Sequence, residues 1–308
     1  MSLNDENEKI ETDETQEEVV ALDPETTELD FNHSRLERIE NLDSFEKLEF
    51  LGFRNNLIKR IENVSSLTNL RHLELYDNQI TKIENLDSLV NLEILDLSFN
   101  RIRKIENLDA LVKLSKLFLV NNKISEIENL DNLTNLEMLE LGANSIREIK
   151  NLDNLTNLTA LYLGKNKISK LQNLTKLKKL TILSIQSNRI EKVEGLEENV
   201  NLDQLYLSHN RIEKIEGLEN NTKLTTLDLA SNSIEKLENI GHLSQIEELW
   251  MNDNKIKDWN DLQVLDKFKN LETVYFEGNP IASDTMYRKK IMLIVPYIKQ
   301  IDATMCRI

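Results

Sequence analysis

The side chains that most often perform catalysis or bind metals are few in this sequence and lie far apart. Four histidines and one cysteine occur in 308 residues. They are His33, His72, His209, His242 and Cys306. The sequence contains no HExxH or CxxC spacing and no glycine-rich phosphate loop. The sequence therefore predicts a protein that is not an enzyme and that uses no metal or cofactor.

A second group of side chains has types suited to recognition. One position recurs every 22 residues, with a single step of 25, and it is rich in aromatic and acidic residues. It reads Gly52, Glu74, Asp96, Phe118, Glu140, Tyr162, Ser184, Tyr206, Asp228, Trp250 and Tyr275. Five of these are aromatic, four are acidic and none is basic, although only 5% of the chain is aromatic. Aromatic side chains presented on a rigid surface are typical anchors for protein partners.

An internal repeat sets the spacing of these residues. The segment 70–80, LRHLELYDNQI, shows the pattern LxxLxLxxNxI, which recurs along the chain and gives twelve copies from Leu29 onward. This pattern is the leucine-rich repeat. It predicts an α/β solenoid with a curved parallel β-sheet on its concave face and 3₁₀-like or short helical segments on its convex face.

The pattern within one repeat explains the predicted structure. Leu73 and Leu75 alternate with Glu74, which is the period of a strand with one buried face. The aromatic and acidic position should therefore face away from the core, on the concave side. Twelve strands at about 4.8 Å spacing would form an inner arc of roughly 50 Å. This arc is long enough to hold a globular protein with a basic and apolar surface.

Asparagines at a second recurrent position are predicted to be structural. An asparagine amide both donates and accepts hydrogen bonds, so a stacked column could satisfy backbone groups where each strand turns away. The column consists of Asn56, Asn78, Asn100, Asn122, Asn144, Asn166, Asn188, Asn210, Asn232, Asn254 and Asn279.

Charge and periodicity divide the chain into three parts. The net charge is −16, of which residues 1–28 carry −10 and the remainder −6. Residues 1–28 are predicted to be an acidic disordered tail, because they lack the apolar residues needed to form a core. Residues 29–280 form the solenoid and residues 281–308 a cap, with a short helix that ends at Pro296.

The same features exclude several classes of partner. A net negative charge argues against binding to nucleic acid, which requires clustered Lys and Arg. No segment approaches the roughly 18 apolar residues of a membrane-spanning helix, so no membrane partner is expected. A single cysteine excludes an internal disulfide, and the N-terminus lacks the pattern of a signal peptide. These observations favour a soluble intracellular protein.

The repeat and the ending together resemble one protein family. The consensus IxxIENLxxL appears at 80–89, and the ending contains GNPI at 278–281, YRKK at 287–290 and QIDAT at 300–304. These motifs resemble the leucine-rich regulatory subunit 7 of type-1 serine/threonine protein phosphatase. The resemblance covers about residues 29–308.

This resemblance implies a non-catalytic regulatory subunit that grips the phosphatase catalytic subunit with its concave face. Such a subunit controls the maturation, activity or localisation of the phosphatase, often together with a small phosphatase inhibitor protein. The resemblance also implies a location in the nucleus and cytoplasm and a role in chromosome segregation during the cell cycle. The family's contact positions match Asp96, Phe118, Glu140, Tyr162, Asp228, Glu248, Trp250 and Tyr275.

The eight positions suggest two roles. The aromatic residues would serve as apolar anchors, and the acids would pair with Arg or Lys of the phosphatase. Glu74, Phe99 and Tyr206, in the same or a neighbouring column, are predicted as secondary contacts.

Two other families and a generic scaffold remain as alternatives. A leucine-rich splicing-particle subunit has a similar cap but usually far fewer repeats. A histone-chaperone-like acidic leucine-rich protein would suit the acidic tail, but it normally carries a long acidic run at its C-terminus. The third alternative is a scaffold for another basic protein.

Overall fold

The chain forms a single curved sheet. The structure, a computed structural model, describes residues 22–306. Its strands form a 14-stranded sheet in which each strand lies beside its neighbours in sequence. The strands are β1 Glu28–Asp30, β2 Phe50–Gly52, β3 His72–Glu74, β4 Ile94–Asp96, β5 Lys116–Phe118, β6 Met138–Glu140, β7 Ala160–Tyr162, β8 Ile182–Ser184, β9 Gln204–Tyr206, β10 Thr226–Asp228, β11 Glu248–Trp250, β12 Thr273–Tyr275, β13 Gln300–Ile301 and β14 Thr304–Met305. The predicted leucine-rich-repeat solenoid is confirmed.

Each strand alternates between core and concave face. In β3 the central Leu73 is fully buried, whereas His72 and Glu74 on either side are half-buried. Strands β1 to β12 pair in parallel without a register shift, so that Glu74 lies opposite Asp96 and Asp96 lies opposite Phe118. The 22-residue period therefore turns equivalent residues into continuous columns across the sheet.

The core is a stack of aliphatic layers. Each regular coil contributes seven aliphatic side chains, all of which are fully buried. In one coil these are Leu73, Leu75, Ile80, Ile83, Leu86, Leu89 and Leu92. Full burial of one such side chain stabilises the fold by about 1.5–3 kcal/mol. A single coil cannot bury these side chains alone, so this stabilisation depends on the neighbouring coils.

The convex side is built from turns rather than continuous helices. The Leu89 amide donates to the Leu86 carbonyl at 2.9 Å and the Leu92 amide to the Leu89 carbonyl at 3.0 Å. These are i→i+3 bonds, so the predicted 3₁₀ geometry appears as single turns. Within residues 22–306, 3₁₀ helices occur only at Asp261–Lys267 and Pro280–Ser283. The first of these lies in the one coil that is 25 rather than 22 residues long.

The predicted asparagine column connects adjacent coils. The Asn166 Oδ1 accepts the Ile146 amide at 2.9 Å, while its Nδ2 donates to the carbonyls of Leu141 and Leu163, both at 3.0 Å. The column members repeat this pattern of acceptor and donor bonds from Asn56 to Asn279. Each amide thus satisfies backbone groups that the strands leave free.

The structure shows a second asparagine column that the sequence analysis did not assign. Its members adopt positive φ and donate from Nδ2 to a carbonyl 24 residues earlier; Asn85, for example, donates to Ile61 at 2.6 Å. They are Asn63, Asn85, Asn107, Asn129, Asn151, Asn173 and Asn239. Gly195 and Gly217 replace asparagine in this column, with φ of 72° and 70°. Both residue types tolerate this backbone conformation, which explains the substitution.

The C-terminal segment covers the last coil. Helix α1, Tyr287–Ile294, ends before Pro296 as predicted, and it buries Tyr287 and Ile291 against the solenoid. Strand β13 then pairs with β12 in parallel, and β14 pairs with β13 in antiparallel. The Tyr287 hydroxyl donates to Asp302 Oδ1 at 3.1 Å. Burial and this carboxylate together raise the pKa of Tyr287.

The first coil includes residues assigned above to the acidic tail. The Thr27 carbonyl accepts the amides of Glu49 and Phe50 at 2.8 and 3.0 Å, and β1 begins at Glu28. The solenoid therefore starts slightly earlier than residue 29. The rest of the predicted disordered tail, residues 1–21, lies outside the described residues. Across 22–306, no helix combines the length and apolar character needed to cross a membrane.

Candidate functional site

The concave face presents the aromatic and acidic column in unbroken register. Phe118, Glu140 and Tyr162 are the last residues of β5, β6 and β7, and each lies opposite the next. Trp250 lies opposite Asp228 on one side and Tyr275 on the other. Such a column forms when every coil has the same backbone conformation. The buried leucines and the asparagine column stabilise that conformation in each coil.

Five of the predicted contacts line one depression. Glu74, Asp96, Phe118 and Glu140 lie around a concave cavity of about 450 Å³, and the exposed Phe99 also contributes to its wall. Burial raises the pKa of the Glu140 carboxyl, and the negative charge of Asp96 adds to the rise. No ion pair or hydrogen bond of the Glu140 side chain occurs within residues 22–306. This carboxylate is therefore partly desolvated and available to a cation.

The opposite end of the same depression is already partly neutralised. The Arg54 Nε lies 3.5 Å from Glu74 Oε2, and its Nη2 lies 3.9 Å from Asp96 Oδ2. The His72 Nε2 approaches Glu74 Oε1 to 3.2 Å. Burial nevertheless lowers the pKa of His72, and it outweighs the opposing effect of Glu74. The imidazole is therefore neutral at pH 7, and Arg54 is the permanent cation at this end.

Phe99 is held in an unusual conformation for an aromatic residue. Its φ is 56°, the residue is 38% exposed and its ring centroid lies 4.8 Å from that of Tyr76. The equivalent residues of the other coils share this left-handed conformation, which disfavours bulky side chains. An exposed aromatic at such a position is consistent with the predicted secondary contact. Tyr76 itself was not predicted as part of the site.

Tyr162 lies in the adjoining depression, of about 350 Å³, beside Glu140 and Phe99. Burial raises the pKa of Tyr162, with a further contribution from the charge of Glu140. The phenol therefore remains protonated, and its hydroxyl can donate a hydrogen bond to a partner. Its ring and the carboxylate of Glu140 form one mixed apolar and acidic patch.

The column is interrupted after Tyr162. Ser184 is buried, and its hydroxyl donates to the Gln186 amide oxygen. No large side chain projects from this coil at the column position. The predicted contacts therefore form two groups, one from Glu74 to Tyr162 and the other from Tyr206 to Tyr275.

The second group is an aromatic cluster. The Trp250 indole lies 6.3 Å from the Tyr206 ring and 5.8 Å from the Tyr275 ring, both in edge-on geometry. Gln300 donates to the Tyr275 hydroxyl at 2.7 Å, so the cap orients this ring. The Trp250 Nε1 is buried and has no hydrogen-bond acceptor among residues 22–306. Glu248 is half-buried beside the cluster at the first position of β11.

Asp228 occupies a different environment from the other acids. Its side chain lies between the coils of Tyr206 and Trp250, and the residue is only 4% exposed. Its Oδ1 accepts the Ala230 amide at 3.0 Å. Burial raises the pKa of Asp228, although its hydrogen bonds act in the opposite direction. In this structure Asp228 stabilises a turn beneath the aromatic cluster, and its assignment as a partner contact stays a prediction.

The titratable residues within 22–306 form no cluster of three or more His, Cys, Asp or Glu able to hold a metal ion. The geometry of the concave face instead suits recognition of a protein surface. Tyr76 and Arg54 are two residues of the first depression that sequence reasoning did not assign to the site. Both lie two positions after the aromatic and acidic column, where most other coils have a small or uncharged residue.

Comparison with known proteins agrees with this architecture. A family model described as a leucine-rich repeat region matches residues 29–304, nearly the whole chain. The chain belongs to the leucine-rich repeat family.

Two curated relatives share a short and well-matched segment with this chain. The protein phosphatase 1 regulatory subunit 7 of Homo sapiens is 56% identical over 51 residues, which are 17% of this chain and 14% of that protein. The protein phosphatase 1 regulatory subunit SDS22 of Schizosaccharomyces pombe is 52% identical over 42 residues, 13% of each chain. The matched segments thus span about one seventh of each relative.

Solved structures share the fold over a longer span. An internalin of Listeria monocytogenes, inlF, superimposes with a TM-score of 0.72 at 26% identity, covering 90% of this chain and 87% of that chain. A leucine-rich repeat protein of Leptospira interrogans superimposes with a TM-score of 0.69 at 23% identity, covering 84% and 73%. The second likeness concerns the fold alone.

Proposed function

We propose that this protein is a non-catalytic regulatory subunit of type-1 serine/threonine protein phosphatase. The curated relatives named above are regulatory subunits of that phosphatase, which supports the general assignment. The proposal for this chain goes further, since it names the catalytic subunit as the direct partner and the concave face as the binding surface.

The observation that carries the proposal is the in-register column of aromatic and acidic side chains. Phe118, Tyr162, Trp250 and Tyr275 supply apolar area, and Asp96, Glu140 and Glu248 supply negative charge. A partner with arginine or lysine side chains around apolar patches complements such a surface in charge and character. Because the sheet is rigid, little conformational entropy is lost when the partner binds.

The regulatory consequence is proposed as control of phosphatase maturation, activity or localisation. A small phosphatase inhibitor protein is proposed as a further component of the complex. We propose the nucleus and cytoplasm as the location and chromosome segregation in the cell cycle as the process.

Affinity purification with mass spectrometry tests the partner. The tagged chain and its Trp250→Ala/Glu248→Ala variant are compared in the same lysate, with Trp259→Ala as a control for loss of a tryptophan that packs against the cap. The proposal requires that the phosphatase catalytic subunit is recovered with the parent chain and the control, and is depleted from the double variant. Recovery of small ribonucleoprotein or histones instead would refute the proposal in favour of the alternative families.

Titration calorimetry with purified catalytic subunit tests the surface. The parent chain and Trp259→Ala should bind with similar affinity, and the double variant should bind more weakly. Trp259 should not affect binding because it contacts Tyr287 and Lys290 in the cap, outside the concave sheet. Equal affinity of the double variant and the parent chain would exclude this part of the concave face.

A further inference from the structure

The concave face contains three basic side chains, and they differ in what they contact. Arg54, Lys116 and Lys165 all lie on the columns that face the interior of the arc. Arg54 lies within 4 Å of the carboxylates of Glu74 and Asp96. Lys116 and Lys165 form no ion pair with any acid in the part of the chain that the structure describes. Arg54 is therefore in a distinct electrostatic position.

The contacts of Arg54 resemble those that an incoming arginine would make. Its guanidinium lies between acids of two successive coils, and its guanidinium carbon lies 4.8 Å from the ring centroid of Tyr76. A cation over an aromatic face and beside two carboxylates is a favourable arrangement for arginine. The side chains of Glu74 and Asp96 are only 16% and 14% exposed, so few other directions of approach remain.

We infer that Arg54 is an internal competitor that occupies the acidic end of the concave site until a partner cation displaces it. This inference rests on the proposed function, since it concerns how the same surface selects its basic partner. Arg54 is then a specificity-determining residue. A partner can form ion pairs with Glu74 and Asp96 only if one of its own cations takes the place of the Arg54 guanidinium.

The geometry is suited to displacement. The backbone of Arg54 is fixed, since its amide donates to Asn32 and its carbonyl accepts the His33 amide. The side chain is 42% exposed, and its closest approach to either carboxylate is 3.5 Å, the long end of hydrogen-bond distance. An arginine that is this exposed and this far from its carboxylates is held weakly, corresponding to a factor of up to about five in an equilibrium constant. Arg54 can therefore swing out without unfolding the coil.

The competition is local to one end of the site. Glu140, farther along the same depression, forms no ion pair within residues 22–306, and the aromatic cluster around Trp250 lies several coils away. Removal of Arg54 should thus free Glu74 and Asp96 and leave the other contacts in place. Lys165→Ala is the matched control, because it removes the same charge from the same face without releasing a carboxylate.

The experiment measures affinity by calorimetry for the parent chain, Arg54→Ala and Lys165→Ala. One partner is the phosphatase catalytic subunit, and the other is an octa-arginine peptide that reports on free carboxylates whatever the natural partner is. We expect Arg54→Ala to bind both partners about two- to fivefold more tightly than Lys165→Ala does. The difference should vanish in an Asp96→Asn/Glu74→Gln background.

Two outcomes overturn the inference. One is equal peptide affinity for Arg54→Ala and Lys165→Ala, with both variants shown by circular dichroism to be folded. The other is weaker binding by Arg54→Ala than by Lys165→Ala, which would mean that Arg54 supports the site. Failure of the parent chain to bind the catalytic subunit would refute the proposed function, and the peptide series would still decide the role of Arg54.

Discussion

The indole of Trp250 meets the ring of Tyr275 edge-on, with the two centroids 5.8 Å apart. The two residues occupy equivalent positions in adjacent strands, and the hydrogen bond from Gln300 fixes the tyrosine from the cap. Edge-to-face rings at this distance stabilise each other and restrict side-chain rotation. The aromatic cluster is thus ordered before any partner arrives, which favours its use as an anchor.

Replacement of Trp250 by alanine should weaken binding to the phosphatase catalytic subunit by roughly 2 kcal/mol or more, because buried tryptophans at interface centres carry much of the binding energy. Trp259→Ala removes the same type of side chain where it packs against the cap, and it should leave affinity near that of the parent chain. Calorimetric titration measures both. If the two tryptophan variants lost the same affinity, the loss would reflect general destabilisation, and Trp250 would not be the anchor.

Replacement of Glu140 by glutamine should have opposite effects on stability and binding. Burial raises the pKa of Glu140 above 4.5, so its ionised form is less stable in the folded chain. Glutamine removes that penalty, and the melting temperature at pH 7 should therefore rise. The gain should shrink as the pH falls through the raised pKa, because the parent carboxyl then becomes neutral as well.

Binding to a cationic partner should respond in the reverse sense. The Glu140→Gln variant should lose roughly 10- to 100-fold in affinity at pH 7, the effect of a lost hydrogen bond to a charged group. Affinity of the parent chain should fall as the pH drops through the raised pKa, whereas this step should be absent from the variant. Glu106→Gln, a half-buried acid outside the sheet, is the control. A variant as tight as the parent at pH 7 would remove Glu140 from the interface.

Replacement of Asn166 by alanine should destabilise the solenoid by about 1–3 kcal/mol, because the Ile146 amide would lose its buried acceptor and the Leu141 carbonyl its side-chain donor. Thermal melts followed by circular dichroism measure the change. Asn154→Ala removes an exposed amide from the preceding coil and should have little effect. Coincident melts of the two variants would contradict a structural role for the asparagine column.

Replacement of Asn199 by leucine should stabilise the protein by about 1 kcal/mol, since a buried oxygen without a partner is costly. Asn199 is 0% exposed, and its Oδ1 has no hydrogen-bond donor among residues 22–306. The preceding coil has Leu177 at the equivalent position. The Asn199 Nδ2 donates to the carbonyls of Leu174 and Leu177. Both carbonyls also accept a backbone amide, so they would stay hydrogen-bonded in the leucine variant.

The reciprocal change, Leu177→Asn, is the control for Asn199→Leu and should lower the melting temperature. A lower melting temperature for Asn199→Leu as well would show that the two Nδ2 bonds outweigh the unsatisfied oxygen. In that case the asparagine would be an essential part of the irregular coils that contain Gly195 and Gly217.

Much of the site could be predicted because the repeat determines on which side of the sheet each side chain lies. The alternation around Leu73 placed Glu74 on the concave side, and the constant period placed Asp96 and Phe118 beside it. Asp228 shows where this reasoning fails. It shares the column with Trp250, yet it is 4% exposed, because it lies between the larger rings of Tyr206 and Trp250 in the neighbouring coils.

The sequence by itself determined the solenoid, its register and the identity of the residues in each column, because a strict period repeats one backbone geometry in every coil. Only the tertiary structure decided which acids on that face are available. Glu140 is unpaired within residues 22–306, Glu74 is engaged by Arg54, and Asp228 is buried. These differences depend on the size and rotation of side chains from adjacent coils, which meet in space but lie 22 residues apart in the chain.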